Sequence, residues 1–270
     1  MTVTVISYGG GVQSTAMLVL AAQGKLNIDA ALFANVGDDS EDPRSLRYVR
    51  EVAKPYAAAH GIPVHELHRT TRDGTRDTIL GRITRDGSRS HTIPVRLSSG
   101  KPGGRSCTAD FKVSVTGRWL REQGATADDP ATVLLGISLD EIHRANPSRA
   151  NRHERLVYPL LDLGMNRADC QRLIADAGLP IPGKSACWFC PNRRLDQWAA
   201  MRANEPGTWQ MCVDLERHFI DRERRAGREP VYLSNAGVPL PEAVPDGVQT
   251  LPIWAEGDDS GECDNGWCMT

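Results

Sequence analysis

The stretch Thr2-Val-Thr-Val-Ile-Ser7-Tyr8-Gly9-Gly10-Gly11-Val12-Gln13-Ser14-Thr15 decides the fold. Its first six residues alternate and are rich in β-branched side chains, which predicts a strand; the apolar, Ala- and Leu-rich run from Thr15 to Gln23 predicts a helix. The glycines lie between them. A strand that turns through bare backbone into a helix aims several main-chain N–H groups outward at the helix N-terminus, where they can cradle phosphate oxygens; side chains at those positions would block the approach. Ser14 and Thr15 add hydroxyl donors on the first turn. The spacing matches neither Gly-x-x-x-x-Gly-Lys-Ser/Thr nor Gly-x-Gly-x-x-Gly. A plain structural turn is the other reading of three consecutive glycines.

Outward from that turn the pattern repeats. Ala30 to Ala34 and Val64 to Leu67 read as short buried strands, and Pro43 to His60 has helical spacing ended by Gly61. Further on, Val113 to Glu122 reads as a helix, Thr132 to Gly136 as a strand, and Arg167 to Ala177 as a helix stopped by Gly178. Alternation of this kind predicts an α/β fold with a doubly wound, mostly parallel sheet, binding its ligand at the carboxyl ends of the strands. Thr70 to Arg105 has little apolar periodicity and reads as a long, partly mobile insertion. Its Arg82, Arg85, Arg89, Arg96, Lys101 and Arg105 form either a local basic patch or a solvated loop. Leu195 to Asn204 and Trp209 to Arg225 predict two more helices before a Pro- and Gly-rich end. The expected division is a nucleotide-binding domain over 1–192 and a helical extension with a cysteine-containing tail over 193–270.

With 40% hydrophobic and 24% charged residues in 270, the composition is that of a folded globular chain rather than a disordered or fibrous one. No apolar run approaches the roughly 18 residues of a membrane span, and the start lacks the basic and apolar regions of a secretory signal, so the expectation is a cytoplasmic protein without a membrane partner. A net charge of -2 gives no overall attraction to nucleic acid, which leaves only local basic grouping for such contacts. Seven cysteines without a secretory signal point to metal or redox chemistry rather than a disulfide framework.

The turn resembles the pyrophosphate loop of the adenine nucleotide α-hydrolase superfamily, usually Ser-Gly-Gly-x-Asp-Ser. Here Gly9-Gly10-Gly11-Val12-Gln13-Ser14 stands in its place, with Gly for the first Ser and Gln13 for the Asp. Within that superfamily, residues 1 to about 200 resemble the phosphoadenylyl-sulfate and adenylyl-sulfate reductases. Phe33-Ala-Asn35-Val-Gly37-Asp38 is similar to their strand followed by Asp-Thr-Gly. Gly136-Ile-Ser-Leu-Asp140-Glu141-Ile-His-Arg144 is similar to their Gly-x-Arg-x-x-Glu stretch, and Tyr158-Pro159-Leu160 with Asn166-Arg167-Ala-Asp169 to the segment before their last core helix. The resemblance implies that ATP, accompanied by magnesium, is held by Ser7, Gly9, Gly10, Gly11, Gln13, Ser14, Asn35 and Gly136. It implies that Lys112, Glu141 and Arg144 neutralise or orient the reacting groups. Capping or solvating a loop is the alternative role of Asp140 and Glu141, and an ordinary surface position that of Lys112.

Cys187-Trp-Phe-Cys190 lets two thiolates face one metal, and is also compatible with a redox dithiol or half a zinc site. The reductases pair such a turn with Cys-Cys about eighty residues earlier to hold a [4Fe–4S] cluster, and Ser106-Cys107 stands at a similar separation here. The resemblance therefore implies a cluster on Cys107, Cys187 and Cys190, with one iron open or closed by Cys263 or Cys268 of the tail; zinc is the alternative. Cys170 and Cys212 fall within predicted helices, where a buried apolar role is usual. Three functions follow as expectations. The first is an ATP-dependent adenylating enzyme that delivers sulfur to a nucleic-acid or small-molecule acceptor. The second is a reductase of an adenylylated sulfur compound that uses Cys268 and an electron donor. The third is a nucleotide-binding module with a structural metal. A homodimer is compatible with each.

Overall fold

In the computed structural model, residues 3–88, 91–146 and 150–247 are described. Five short strands form one sheet: β1 (Thr4–Ser7), β2 (Ala30–Asn35), β3 (Val64–His68), β4 (Ala131–Leu134) and β5 (Glu154–Val157). All pair in parallel, in the order β3-β2-β1-β4-β5. The expected doubly wound α/β fold is therefore what the chain adopts. Winding runs from β1 through β2 to β3 on one side, then returns to add β4 and β5 on the other, so the carboxyl ends of β1 and β4 flank the switch point where such sheets open a crevice.

Strand periodicity sorts the core. Along β1, Val5 faces one side with Leu32, Val133 and Leu156, and Ile6 faces the other with Ala31, Phe33 and Leu134. The Ile6 side is covered by α1 (Val12–Ala22), the short α6 (Pro159–Asp162) with buried Leu160, and α7 (Arg167–Asp176), and the Val5 side by α5 (Ser114–Glu122), whose Leu120 is buried there. From Val12 to Leu20 every residue of α1 is buried, which is why it reads as apolar all round rather than amphipathic. A long helical passage covers 43–59: α2 (Pro43–Arg47), a π-helical stretch (Tyr48–Ala53) and α3 (Lys54–Ala59). Asp42 caps its start by accepting from Arg44 N at 2.9 Å, with Pro43 in the first turn. A reciprocal Asn166–Asp169 capping box starts α7.

The chain divides into two compact units. One comprises 1–78 and 108–186 with the sheet; the other comprises 79–107 and 187–263, as far as these are described, with 264–270 outside the described residues. This differs from a division at 192 because the stretch read as an insertion pairs with the C-terminal part. Arg96 and Tyr232 exchange main-chain hydrogen bonds at 2.7 and 2.8 Å, and Glu216 of α9 (Pro206–Arg225) accepts from Leu233 N and Leu240 N. The 70–105 stretch also contains α4 (Ile79–Thr84) and Thr70↔Arg76 and Arg96↔Pro102 bridges, so over its described part it is structured rather than an open loop. The second unit packs α9 on α8 (Leu195–Asn204), with the rings of Trp198 and Trp209 6.5 Å apart, and includes the short α10 (Leu240–Ala243). No helix among the described residues is long and apolar enough to cross a membrane.

Candidate functional site

The glycine turn lies at the switch point. Gly11 is the N-cap residue of α1, no side chain caps that end, and the first turn carries no acidic residue. The first amides of a helix have no partner within it, so an uncapped end leaves donors and a positive field for an anion. Gly10 takes φ +75°, a left-handed value that favours glycine, and a Cβ on it would press to 3.0 Å from Val49 Cγ2. Ser14 Oγ donates to Gly11 O at 3.1 Å, and Ser185 donates to Gly9 O, which ties the turn to the end of the first unit. Tyr8 donates its amide to Leu32 O at 2.8 Å, and its buried hydroxyl lies 3.2 Å from Thr15 Oγ1. Burial pushes the Tyr8 phenol well above its ordinary pKa, so it stays protonated.

The loop leaving β4 presses on this turn. A Cβ on Gly136 would lie 3.0 Å from Ser14 N and 3.1 Å from the Gln13 carbonyl carbon, tight contacts against backbone that glycine avoids. Gln13, 1% exposed, donates Nε2 to Ser138 Oγ at 3.4 Å and accepts from Arg167 Nη1 at 3.4 Å. Ser138 in turn donates to Asp140 Oδ2 at 3.2 Å, and the same oxygen accepts Arg167 N at 2.5 Å. The amide of Gln13 is thus both donor and acceptor in a network joining α1, the β4 loop and the start of α7.

A 3-10 turn, Leu139–Arg144, follows. Within it Arg144 Nη1 donates to Glu141 Oε1 at 2.6 Å, with side chains only 7% and 11% exposed. Nε and Nη2 of Arg144 and Oε2 of Glu141 are buried without a hydrogen-bond partner. Buried polar atoms usually find partners, so this pair keeps two donors for a further acceptor.

After β2, Glu41 is fully buried and accepts Val36 N at 3.4 Å; burial raises its pKa, opposed first by the charge of Lys112. Lys112, half-buried on the π-helical turn Ala109–Val113, is therefore the cation facing Glu41. Asn35 donates to Asp38 at 2.7 Å and Glu66 at 2.8 Å, while its carbonyl accepts Gly37 N. Arg50 and Lys54 hold Glu66, at 2.6 and 2.5 Å, and with Asn35 they lower its pKa to about 2 against the opposing effect of burial. Ser7 lines a small internal cavity between the sheet and α5 with Thr116, Leu120 and Glu154.

The structure thus brings together Gly9, Gly10, Gly11, Gln13, Ser14 and Gly136, with Glu141 and Arg144 following on the β4 loop. The sequence assigned no role to Glu41, Ser138, Arg167 or Ser185, although Ser138 and Arg167 lie within the stretches that carry the resemblance. The helix read from Arg167 to Ala177 placed Arg167 at a helix start but gave its side chain no role.

In the second unit, Cys190 donates its amide to Cys187 O at 3.1 Å, so the pair forms a tight turn, and Trp188 and Phe189 are buried beside it. Thr92 has φ +60°, the sole positive value among described non-glycine residues, and its carbonyl accepts both Ser106 N and Cys107 N, at 2.8 and 3.0 Å. All three of these cysteines are half-buried. Among the described residues no three or more His, Cys, Asp or Glu side chains are gathered to hold a metal ion. Cys263 and Cys268 lie outside the described residues. Cys170 and Cys212 are buried in α7 and α9, and burial pushes both thiols up to about 12. No protein-family model matches the chain, and no curated protein matches it in sequence.

Proposed function

We propose that the first unit binds ATP with its phosphates on the main-chain amides of Gly10 to Ser14 and activates an acceptor oxygen by adenylation. The observation that carries this reading is the uncapped N-terminus of an eleven-residue helix at the switch point of a parallel sheet. The resemblance of the turn to the adenine nucleotide α-hydrolase loop supports the choice of nucleotide. The open donors of Arg144 suit charge that develops on phosphate oxygens, and because they are buried they hold their orientation before the reaction begins. Lys112 adds a second cation on the opposite side of the switch point, after β3. Gln13 is uncharged and its amide oxygen accepts from Arg167, so it is a weaker ligand for magnesium than the Asp of the usual loop.

In the step itself the acceptor oxygen bonds to the α-phosphorus, the bond from that phosphorus to the bridging oxygen of pyrophosphate breaks, and pyrophosphate leaves with that electron pair. The acceptor's proton passes to solvent. A donor of reduced sulfur then attacks the activated carbon, and AMP departs.

The reading is tested by incubating the purified chain with ATP and a panel of nucleic-acid and small-molecule acceptors. Acceptor-dependent release of AMP and pyrophosphate in equal amounts is the expected result. ATP that binds and is recovered intact with every acceptor would leave a binding module and contradict adenylation.

A further inference from the structure

The second unit carries a cleft that the nucleotide reading does not use. It opens at the C-terminal end of α9 and is lined by Arg85, His218, Arg222, Arg225 and Arg228, with Asp86 the one carboxylate of its lining. Its volume of about 460 Å³ lies within the range of small-molecule sites. Cations in the last turn of a helix offset its carbonyl end, and this accounts for exposed Arg225, which keeps Nε on Asp221 O of the same helix at 3.3 Å.

It does not account for Arg222. That side chain is 12% exposed, with Nη1 donating to Ile83 O at 2.8 Å and Nη2 2.6 Å from His91 Nδ1. Behind it a single buried carboxylate, Glu223, already takes both Nε and Nη2 of Arg228 and lies 3.1 Å from His91 Nε2. Arg222 Nε, 3.6 Å from Glu223 Oε1, and His218 Nε2 are buried without hydrogen-bond partners. Four arginines thus line one opening, and Arg222 Nε there makes no hydrogen bond. A planar fork of N–H groups matches phosphate oxygens, and among the described residues no aromatic ring other than the His218 imidazole lines the cleft to stack on a base.

We infer that this cleft binds the phosphate group of a ligand, either a free phosphate compound or the phosphodiester of a polynucleotide, at a site separate from the glycine turn. Burial and the charges of Arg222 and Arg225 hold the His218 imidazole below its ordinary pKa, which marks the field a bound anion would relieve.

The test uses the full-length chain with selectively ¹³C-labelled histidine, titrated separately with pyrophosphate and with a single-stranded oligodeoxynucleotide. The His218 resonance reports this cleft and not the glycine turn. Pyrophosphate is expected to shift it saturably and to raise its titration midpoint, with affinity at least tenfold weaker in Arg85→Glu/Arg225→Glu, two exposed positions. Arg225→Gln, which keeps a neutral side chain, is expected to fall between. An oligonucleotide that gives the same shift and the same loss assigns the phosphate to a polynucleotide; a response to pyrophosphate alone assigns it to a free compound. A His218 resonance unmoved by both probes, or equal binding in wild type and both variants, would overturn the inference.

Discussion

Arg144 Nη1 lies 2.6 Å from Glu141 Oε1, and the two side chains are buried together with three of their polar atoms open. Removing one partner of a buried ion pair leaves an uncompensated charge, which costs about 3–5 kcal/mol. Glu141→Ala is therefore expected to lower unfolding stability by about that amount in urea melts. Arg144→Met leaves a carboxyl that can take up a proton, so its stability loss should be smaller while its loss of ATP affinity is larger. Equal stability losses in the two variants would contradict this division of roles.

Gly136 is where the β4 loop meets α1. In Gly136→Ala the added methyl meets the Ser14 amide and Gln13 carbonyl carbon, both backbone, so the loop must move away. Overpacking of this kind costs about 1–3 kcal/mol. Nucleotide affinity should fall roughly tenfold, the effect of about 1.4 kcal/mol, because the displaced residues bear the phosphate-binding amides. Isothermal titration with ATP checks it; unchanged affinity would detach the β4 loop from the site.

The strand, turn and helix over 4–22 were legible because each is encoded locally, by alternation, glycine and a continuous apolar run. The same holds for β2, for α8 and for α7 with its Asn166–Asp169 box. β5 was not legible: Glu154 and Arg155 make half of its four residues charged, and Glu154 is tolerated inside because Asn151 Nδ2 donates to it at 2.9 Å. The pairing of Arg96 with Tyr232 was hidden for another reason, since 135 intervening residues separate the two in sequence. At the site, the glycines announced themselves, whereas Glu41, Ser138 and Arg167 look like ordinary loop residues until the sheet order gathers them.

Glu216 gives a pH signature. Burial raises its carboxyl to about 7, although Leu233 N and Leu240 N, at 2.8 and 2.6 Å, favour the ionised form. A carboxyl whose pKa is higher folded than unfolded stabilises fully below the unfolded value near 4.5, and the contribution fades as pH rises through about 7. At about 1.4 kcal/mol for each tenfold, this amounts to roughly 3 kcal/mol. The difference in unfolding free energy between wild type and Glu216→Gln should therefore slope with pH between about 4.5 and 7 and be flat above about 8. A constant difference across that window would refute the assignment.

Thiol reactivity separates the cysteines. At pH 7.5 the folded chain should expose neither Cys170 nor Cys212 to Ellman's reagent, because a thiol held near 12 is almost wholly protonated and both are buried. In denaturant both should react. Mass mapping of fast modification at Cys170 or Cys212 in the folded chain would count against the core packing described for α7 and α9.

Backbone NMR reads whether the amides at the start of α1 receive nucleotide phosphates. On titrating the ¹⁵N-labelled chain with a non-hydrolysable ATP analogue, the amide resonances of Gly10 to Ser14 should shift together and saturate at one equivalent. If the analogue binds while those amides stay unmoved, or if it fails to bind at all, the account of this site is contradicted.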